Sequence, residues 1–343
     1  MKSYFTYRYA LFLGIFLLIG SLSACSMGRD SKPLPTPAAI KVAETFTNAT
    51  TTVDSTLAIP TEKPTIPLID KESTAEYEVA LSVRGASISL GGSKDSLIKK
   101  LGRPSRVVDT EYDFDYYIYN NDYRKLVFVA VNGNKIVGFY TDSLDFTFMG
   151  FSYGADISTV NRFLMEDFSL AEVLTHNSDA YTLKVLVDKV GNQSVVGVYV
   201  LANTVKETGY SDLVIKNIEL LMYDLTNSIR ARNNLPVLTW SSTVTLSSRK
   251  HSNNMAENDF FDHSNPEGQN PGDRLTAVGI LYSTLGENII AGYGSSILSN
   301  HAWYNSTEHR KNMLSKKFRY LGIGFAYQED SLYKTYITQD YYR

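Results

Sequence analysis

Histidines are the side chains of this sequence best suited to metal binding or proton transfer. Four of the five lie beyond residue 212: His251, His263, His301 and His309. An imidazole can bind a metal ion or exchange a proton near neutral pH. Ser306 lies one helical turn before His309, but without an orienting acid the pair is weak evidence for a nucleophile. Neither H-E-x-x-H nor G-x-S-x-G occurs, so no residue is assigned as catalytic.

Two of these histidines have ordinary explanations. His251 falls within a predicted helix, where a packed or surface role is expected. His301 stands two residues before Trp303, and we expect His301 to be exposed and Trp303 to be buried. The distinctive stretches of this part of the chain are F-F-D-H-S-N-P (260–266), G-E-N-I (286–289), W-Y-N-S-T-E-H-R-K-N-M-L (303–314) and L-G-I-G (321–324).

Apolar periodicity indicates the elements that must position these stretches. A first helix is predicted to end near residues 233–234, because apolar side chains recur at steps of three and four: Val214, Ile218, Leu221, Leu225 and Ile229. Further helices are predicted at about 242–258 and 296–305, and residues 320–328 and 332–341 are typical of a hairpin. Helices and strands segregate along the chain, which favours an α+β fold.

Taken in order, the four stretches resemble the CAP superfamily, named after cysteine-rich secretory proteins, antigen 5 and plant pathogenesis-related proteins. The resemblance covers nearly all of residues 215–341, within a C-terminal domain expected at 212–343. It implies an α–β–α sandwich with a central cleft, which in eukaryotic members is lined by two histidines and two glutamates that can hold a divalent metal. Carried onto this sequence, these positions are His263, Glu287, His309 and, in place of the second glutamate, Ser306.

Two imidazoles and one carboxylate are a sensible ligand set for a divalent metal such as zinc with an open water position. In the alternative interpretation, His263 bonds across a turn, Glu287 caps backbone amides and His309 stabilises a helix end. Glu308 stands where bacterial relatives usually have glycine, and both it and Ser306 are close enough in sequence to contact the site. Arg310 and Asn312 are expected to hold the cleft walls together.

These features leave three functions open. The favoured hypothesis is a cell-surface binding or interaction module with a His/Glu-lined cleft, because the resemblance brings no complete catalytic set. The alternative is a metal-dependent hydrolase that acts on peptide or cell-wall substrates. A wall-associated structural role is the third.

The only cysteine, Cys25, explains how such a module would be held in place. Positively charged residues near the start of the sequence and a short apolar run precede Leu22-Ser23-Ala24-Cys25, as in a secretory signal. This segment resembles the lipobox of bacterial lipoproteins, which implies cleavage after residue 24 and lipidation of Cys25. The protein is therefore expected at the outer face of the cell membrane.

Residues 25–80 are predicted to be a spacer that follows this anchor. Six of the ten prolines fall there among many threonines, a composition that cannot bury enough apolar surface to fold. The formal net charge is −3, and no basic face indicates nucleic-acid binding. The candidate partners are the membrane, cell-wall polymer, a lipid and a surface protein.

Residues 81–205 contain a weak internal repeat of two helix–strand–strand units. In the first unit, Ser93 or Asp95 is expected to cap a helix that Gly102 ends. Asn132-Gly133-Asn134 lies between two apolar runs, which predicts a hairpin. The second unit has a helix near 158–165 and strands near 181–187 and 194–201. This arrangement resembles the domain that precedes CAP domains in some Gram-positive bacteria and implies a role in interaction or support.

Overall fold

The computed structural model describes residues 79–343, and the fold is α+β, as predicted. The signal segment, Cys25 and nearly all of the spacer lie outside the described residues. Within 79–343, no helix is long and apolar enough to cross a membrane.

The first repeat unit begins with a hairpin that the sequence did not indicate. Its elements are β1 (Ala80–Val83), β2 (Ala86–Ser89), α1 (Lys94–Leu101), β3 (Arg106–Asp109), β4 (Asp115–Tyr119), a 3₁₀ helix (Tyr123–Lys125), β5 (Val127–Asn132) and β6 (Lys135–Thr141). Helix α1 begins where Ser93 Oγ accepts the Ser96 amide at 3.1 Å, and it ends at Gly102, whose φ is 79°. The predicted cap and stop are therefore confirmed.

The second repeat unit follows the same order. Its elements are β7 (Thr147–Phe148), β8 (Phe151–Ser152), α2 (Ile157–Leu164), β9 (Val173–Asn177), β10 (Tyr181–Val187) and β11 (Val195–Ala202). The helix–strand–strand repeat is confirmed, but each unit also contains a hairpin before the helix and at least one more strand after it. Strands of two to five residues carry too little alternation to be found by periodicity.

The two units share one antiparallel sheet. Its strand order is β3-β4-β5-β6-β11-β10-β9, so the units meet where β6 pairs with β11. The two hairpins form a second sheet in the order β2-β1-β7-β8. Helices α1 and α2 and this small sheet cover one face of the large sheet, and their apolar side chains form one core with it. We call residues 79–205 the middle region.

The C-terminal region, from residue 211 on, is an α–β–α sandwich. Its elements are α3 (Asp212–Arg232), β12 (Thr239–Trp240), α4 (Ser242–Glu257), α5 (Pro271–Ala277), β13 (Leu285–Ala291), α6 (Ser296–Tyr304), α7 (Thr307–Met313), β14 (Tyr320–Tyr327) and β15 (Thr335–Tyr342). The sheet order is β12-β14-β15-β13. The predicted helices and hairpin are present, although the second hairpin arm begins at Thr335 rather than at residue 332.

Helices α3 and α6 pack on one face of this sheet and α4 on the other. Trp303 is fully buried in the first layer, and its Nε1 donates to the Ile289 carbonyl at 3.1 Å. The expectation that His301 is exposed was wrong: only 6% of this residue is exposed, and its Nε2 lies 2.8 Å from the Glu172 carbonyl. The middle region covers this face of α6, and a helix pattern cannot show such a neighbour.

The glycines of the L-G-I-G stretch allow α4 to approach β14 closely. A Cβ atom at Gly324 would lie 2.0 Å from the Arg249 amide nitrogen and 2.3 Å from the Arg249 Cα. A Cβ atom at Gly322 would likewise clash with the backbone of Val244 and Thr245. Any larger residue would therefore push the helix off the sheet.

We predict that Gly324→Ala lowers the free energy of unfolding by about 3 kcal/mol, the upper part of the range for overpacking. Denaturant unfolding followed by circular dichroism measures this change. Gly294→Ala is the matched control, because its Cβ would meet only Tyr210 Oη, at 3.7 Å. Equal stability of the two variants would contradict the close approach.

Candidate functional site

His263 and Glu287 form a direct contact between a loop and a strand. His263 lies between α4 and α5, and Glu287 lies on β13. The His263 Nδ1 atom is 2.7 Å from Glu287 Oε1. The side chain of His263 is 52% exposed, whereas that of Glu287 is 2% exposed. The imidazole therefore faces solvent while the carboxylate lies beneath it.

Arg274, which the sequence analysis missed, fixes both partners. Its guanidinium donates to Glu287 Oε2, to the His263 carbonyl at 2.8 Å and to the Gln269 carbonyl at 3.0 Å. Helix α5 presents this side chain, and the helix begins at a capping box formed by Asn270 and Asp273. Arg274 is the only Lys or Arg between His263 and Glu287, which is the one signal that could have identified it.

Ser306 and His309 form the second contact. Ser306 occupies the position before α7, but its hydroxyl does not cap the helix. It lies 2.8 Å from His309 Nδ1 instead. Burial lowers the pKa of His309, and repulsion from His263 lowers it further. His309 is therefore neutral at pH 7, and the two imidazoles are close enough to influence each other.

Two asparagines connect these contacts through β13. Asn312 Nδ2 donates to the Glu287 carbonyl at 3.1 Å and to Asn288 Oδ1 at 2.9 Å. Asn288 Nδ2 donates to the His309 carbonyl at 3.2 Å. Helix α7 is thereby fixed beside Glu287, and Asn312 has the bridging role expected of it. The structure thus brings the four predicted positions to one end of β13.

A second carboxyl group, on Asp340, lies behind Glu287. The two residues are paired across β13 and β15, and Asp340 is fully buried. Ser248 Oγ donates to Asp340 Oδ2 at 2.7 Å. Burial raises the pKa of Asp340 well above its usual range, and the neighbouring Glu287 raises it further. Burial and the nearby Glu287 carboxylate therefore both favour the neutral form of Asp340.

The remaining candidates lie away from this arrangement. Glu308 is exposed and pairs with Lys311 at 2.8 Å, so the contact with the site that sequence proximity suggested is absent. His251 is buried in α4, with Nε2 3.0 Å from the Asp262 carbonyl. Burial lowers its pKa to about 4, and the charge of Arg274 contributes. His251 is therefore a packed residue beneath the loop that carries His263.

The residues of this site do not fit a tightly held metal ion. Both Glu287 oxygens accept hydrogen bonds from other side chains, and a metal ion would have to compete with these bonds for the carboxylate. The Arg274 guanidinium also adds positive charge beside the carboxylate. Within residues 79–343, no group of three His, Cys, Asp or Glu side chains is arranged to hold a metal.

The sandwich fold and the order of these positions define the class of protein. Residues 223–341 match the model of the cysteine-rich secretory protein (CAP) family, and residues 90–198 match the CAP-associated N-terminal model. The chain is a bacterial member of the CAP superfamily with a CAP-associated N-terminal domain ahead of its CAP domain.

Two Bacillus subtilis (strain 168) proteins are similar in sequence. The uncharacterized membrane protein YlbC is 25% identical over 293 residues, which cover 74% of this chain and 84% of YlbC. The uncharacterized protein YkwD is 36% identical over 108 residues, or 32% of this chain and 42% of YkwD.

Two solved structures share the fold. One is an extracellular protein with an SCP domain from Bacillus anthracis strain Ames, at 23% identity and a TM-score of 0.62, covering 80% of this chain and all of that one. The other is a cysteine-rich secretory protein from Staphylococcus aureus Mu50, at 16% identity and a TM-score of 0.55, covering 74% and 91%.

We predict that Glu287→Gln lowers the free energy of unfolding by about 3–5 kcal/mol, because it leaves the buried Arg274 guanidinium without a counter-charge. Equilibrium denaturation measures the loss. Glu308→Gln removes a charge from an exposed pair in the same region and should cost less than about 1 kcal/mol. Similar losses in the two variants would show that Glu287 is not a buried partner of Arg274.

Proposed function

We propose that this chain is a lipid-anchored CAP-domain protein that binds a polar cell-envelope ligand at His263, Glu287, Ser306 and His309. The observation that carries the proposal is the fixed Glu287 carboxylate. Arg274 and His263 each bond one of its two oxygens, so the group is held in place and these bonds compete with any role as a base or metal ligand. A rigid polar surface beside exposed imidazole is suited to recognition.

The hydrolase alternative has less support. Its metal form would need the Glu287 carboxylate beside the two imidazoles, and His263 and Arg274 already hold that carboxylate by hydrogen bonds. A metal-free form would use Ser306 and His309, which are 2.8 Å apart. A serine nucleophile also needs a group that orients its histidine. Within the described part of the chain, no acidic side chain hydrogen-bonds to His309.

The free atoms of the site indicate the chemistry of the ligand. Both imidazoles use Nδ1 internally, and the Nε2 atoms have no hydrogen-bond partner among residues 79–343. Phe261 and Tyr333 are 44% and 42% exposed, with ring centroids 6.1 Å apart, and Phe261 lies two residues before His263. Free hydrogen-bonding nitrogens, with an exposed aromatic side chain two positions away in the sequence, suit a ligand with hydroxyl and amide groups, such as the glycan of a cell wall.

The proposed location rests on two kinds of support. YlbC is named a membrane protein, and the Bacillus anthracis structure is described as an extracellular protein. The lipobox-like sequence before Cys25 supplies the anchor in this proposal, and the Pro/Thr-rich spacer would carry the folded region away from the bilayer.

We predict that the full chain in detergent micelles cosediments with purified Bacillus subtilis peptidoglycan sacculi. His263→Ala and His309→Ala should each raise the dissociation constant by about tenfold, which corresponds to about 1.4 kcal/mol for a lost hydrogen bond. His176→Ala is the matched control, because His176 lies on β9 of the middle region. An unchanged dissociation constant in both site variants would contradict the proposal.

The same preparation separates binding from metal chemistry. Elemental analysis should find no stoichiometric zinc in the wild-type protein. Stoichiometric zinc that is lost in both His263→Ala and His309→Ala would instead favour the metal-dependent hydrolase.

We predict that cells fed an alkyne-tagged fatty acid incorporate the tag into the wild-type protein, because the Cys25 thiol is the proposed lipidation site. Cys25→Ala should abolish the label, and Ser26→Ala, which leaves the thiol in place, should retain it. Gel fluorescence and intact mass measure the modification. Persistent labelling of Cys25→Ala would show that the lipid is attached to another residue.

A further inference from the structure

The helix that carries His309 is held from outside the CAP domain. Arg310, the residue after His309, makes two parallel bonds to Asp188 of the middle region. Arg310 Nη1 lies 2.5 Å from Asp188 Oδ1, and Arg310 Nη2 lies 2.9 Å from Asp188 Oδ2. Paired bonds of this kind fix orientation as well as distance. The guanidinium of Arg310 also donates to the Tyr304 carbonyl at 3.2 Å and to Tyr304 Oη at 3.0 Å. It therefore joins α7 to α6 within the CAP domain as well as to the middle region, a contact that the sequence analysis did not expect.

Asp188 is itself tightly positioned. It follows β10 and accepts a bond from the Gly191 amide at 2.9 Å, and Tyr304 Oη lies 3.3 Å from its carboxylate. Burial alone would raise the pKa of Asp188, but the hydrogen bonds and charge of Arg310 outweigh it, and the pKa falls below its ordinary value. The carboxylate is thus ionised and paired at neutral pH.

The residue before Ser306 is held by the same part of the middle region. Asn305 Nδ2 donates to the Val187 carbonyl at 3.0 Å, and the Lys189 amide donates to Asn305 Oδ1 at 2.8 Å. Ser306 and His309 therefore lie between two anchor points, Asn305 and Arg310. Both anchors bind the segment from Val187 to Lys189.

We propose that Asp188 is a positioning residue for the candidate site, and that the middle region sets the placement of Ser306 and His309 on α7. The effect of Asp188 on ligand binding rests on the proposed function. Its effect on the placement of α7 does not depend on any ligand. The middle region is then a working part of the site rather than a support alone.

A second buried carboxylate at the same interface provides a matched control. Asp224 of α3 pairs with Arg106 and accepts bonds from Asn120 and Tyr123, both at 2.9 Å. Its partners all belong to the middle region, and none of its bonds involves α7. Asp224→Asn therefore removes an interfacial charge without disturbing the anchors of α7.

The experiment compares the full-length Asp188→Asn and Asp224→Asn proteins by hydrogen exchange and by the NMR signal of the His309 ring. Asp188→Asn should speed exchange of the α7 amides at least tenfold, shift the His309 signal and weaken sacculus binding. Asp224→Asn should leave α7 and His309 as in the wild type. Asp188→Asn combined with Arg310→Gln should add little to either single change, because both act through one pair.

The outcomes distinguish the two proposals. A folded Asp188→Asn protein with wild-type α7 exchange and an unshifted His309 signal would overturn the positioning role. Equal changes in Asp224→Asn would also overturn it, because they would reflect general loosening. Changes at α7 in a protein that never binds sacculi would support the positioning role and refute the proposed ligand.

Discussion

Buried pairs of arginine and carboxylate are the interaction on which this structure depends. They occur where layers meet: Arg249 with Glu219, Arg274 with Glu287, Arg232 with Asp142, Arg310 with Asp188, and Arg106 with Asp224. Removing a charge from water is costly, and the cost is offset only when the partner has good geometry. Such pairs therefore favour one arrangement of layers over nearby alternatives more than they add to stability.

Apolar contacts and ion pairs have different roles where the middle region meets the CAP domain. Leu221 and Leu225 of α3 and Ile297 of α6 share a core with Phe128 and Tyr140 of the large sheet. Such contacts bury apolar surface area, but they do not prevent the two regions from sliding past each other. Arg232 with Asp142 and Arg310 with Asp188 fix the register, because a shifted interface would leave a buried charge unpaired. The seven-stranded sheet is thus joined to the sandwich in a defined orientation.

Local signals in the sequence predicted the parts of the fold that depend on neighbours along the chain. The Ser93 cap, the hairpin at Gly133 and the periodic apolar face of α3 are examples. The resemblance to the CAP superfamily supplied the candidate residues, and the structure brings them together. Short strands such as β7 and β12 were missed, since two residues have no detectable period.

Residues whose role depends on a distant partner could not be found from the sequence. Arg310 and Asp188 are separated by 122 positions, and His301 and the Glu172 carbonyl by 129. Nothing near His301 in the chain shows that another sheet will cover it. Asp340 gave a weak signal, because an acidic residue in an apolar strand needs a specific environment. Sequence distance, rather than residue type, therefore limited what could be predicted.

Ser306 stands at the position that corresponds to the second glutamate of the CAP family. This difference explains the electrostatics of the site. Arg274 balances the Glu287 carboxylate, and burial together with the charge of His263 lowers the pKa of His309 more than the charge of Glu308 raises it. A hydroxyl beside Nδ1 can donate or accept a bond, so it is compatible with a neutral imidazole. A second carboxylate in that place would raise the pKa of His309 and attract a cation. The sequence change and the buried guanidinium therefore act in the same direction, towards a site that recognises neutral polar groups.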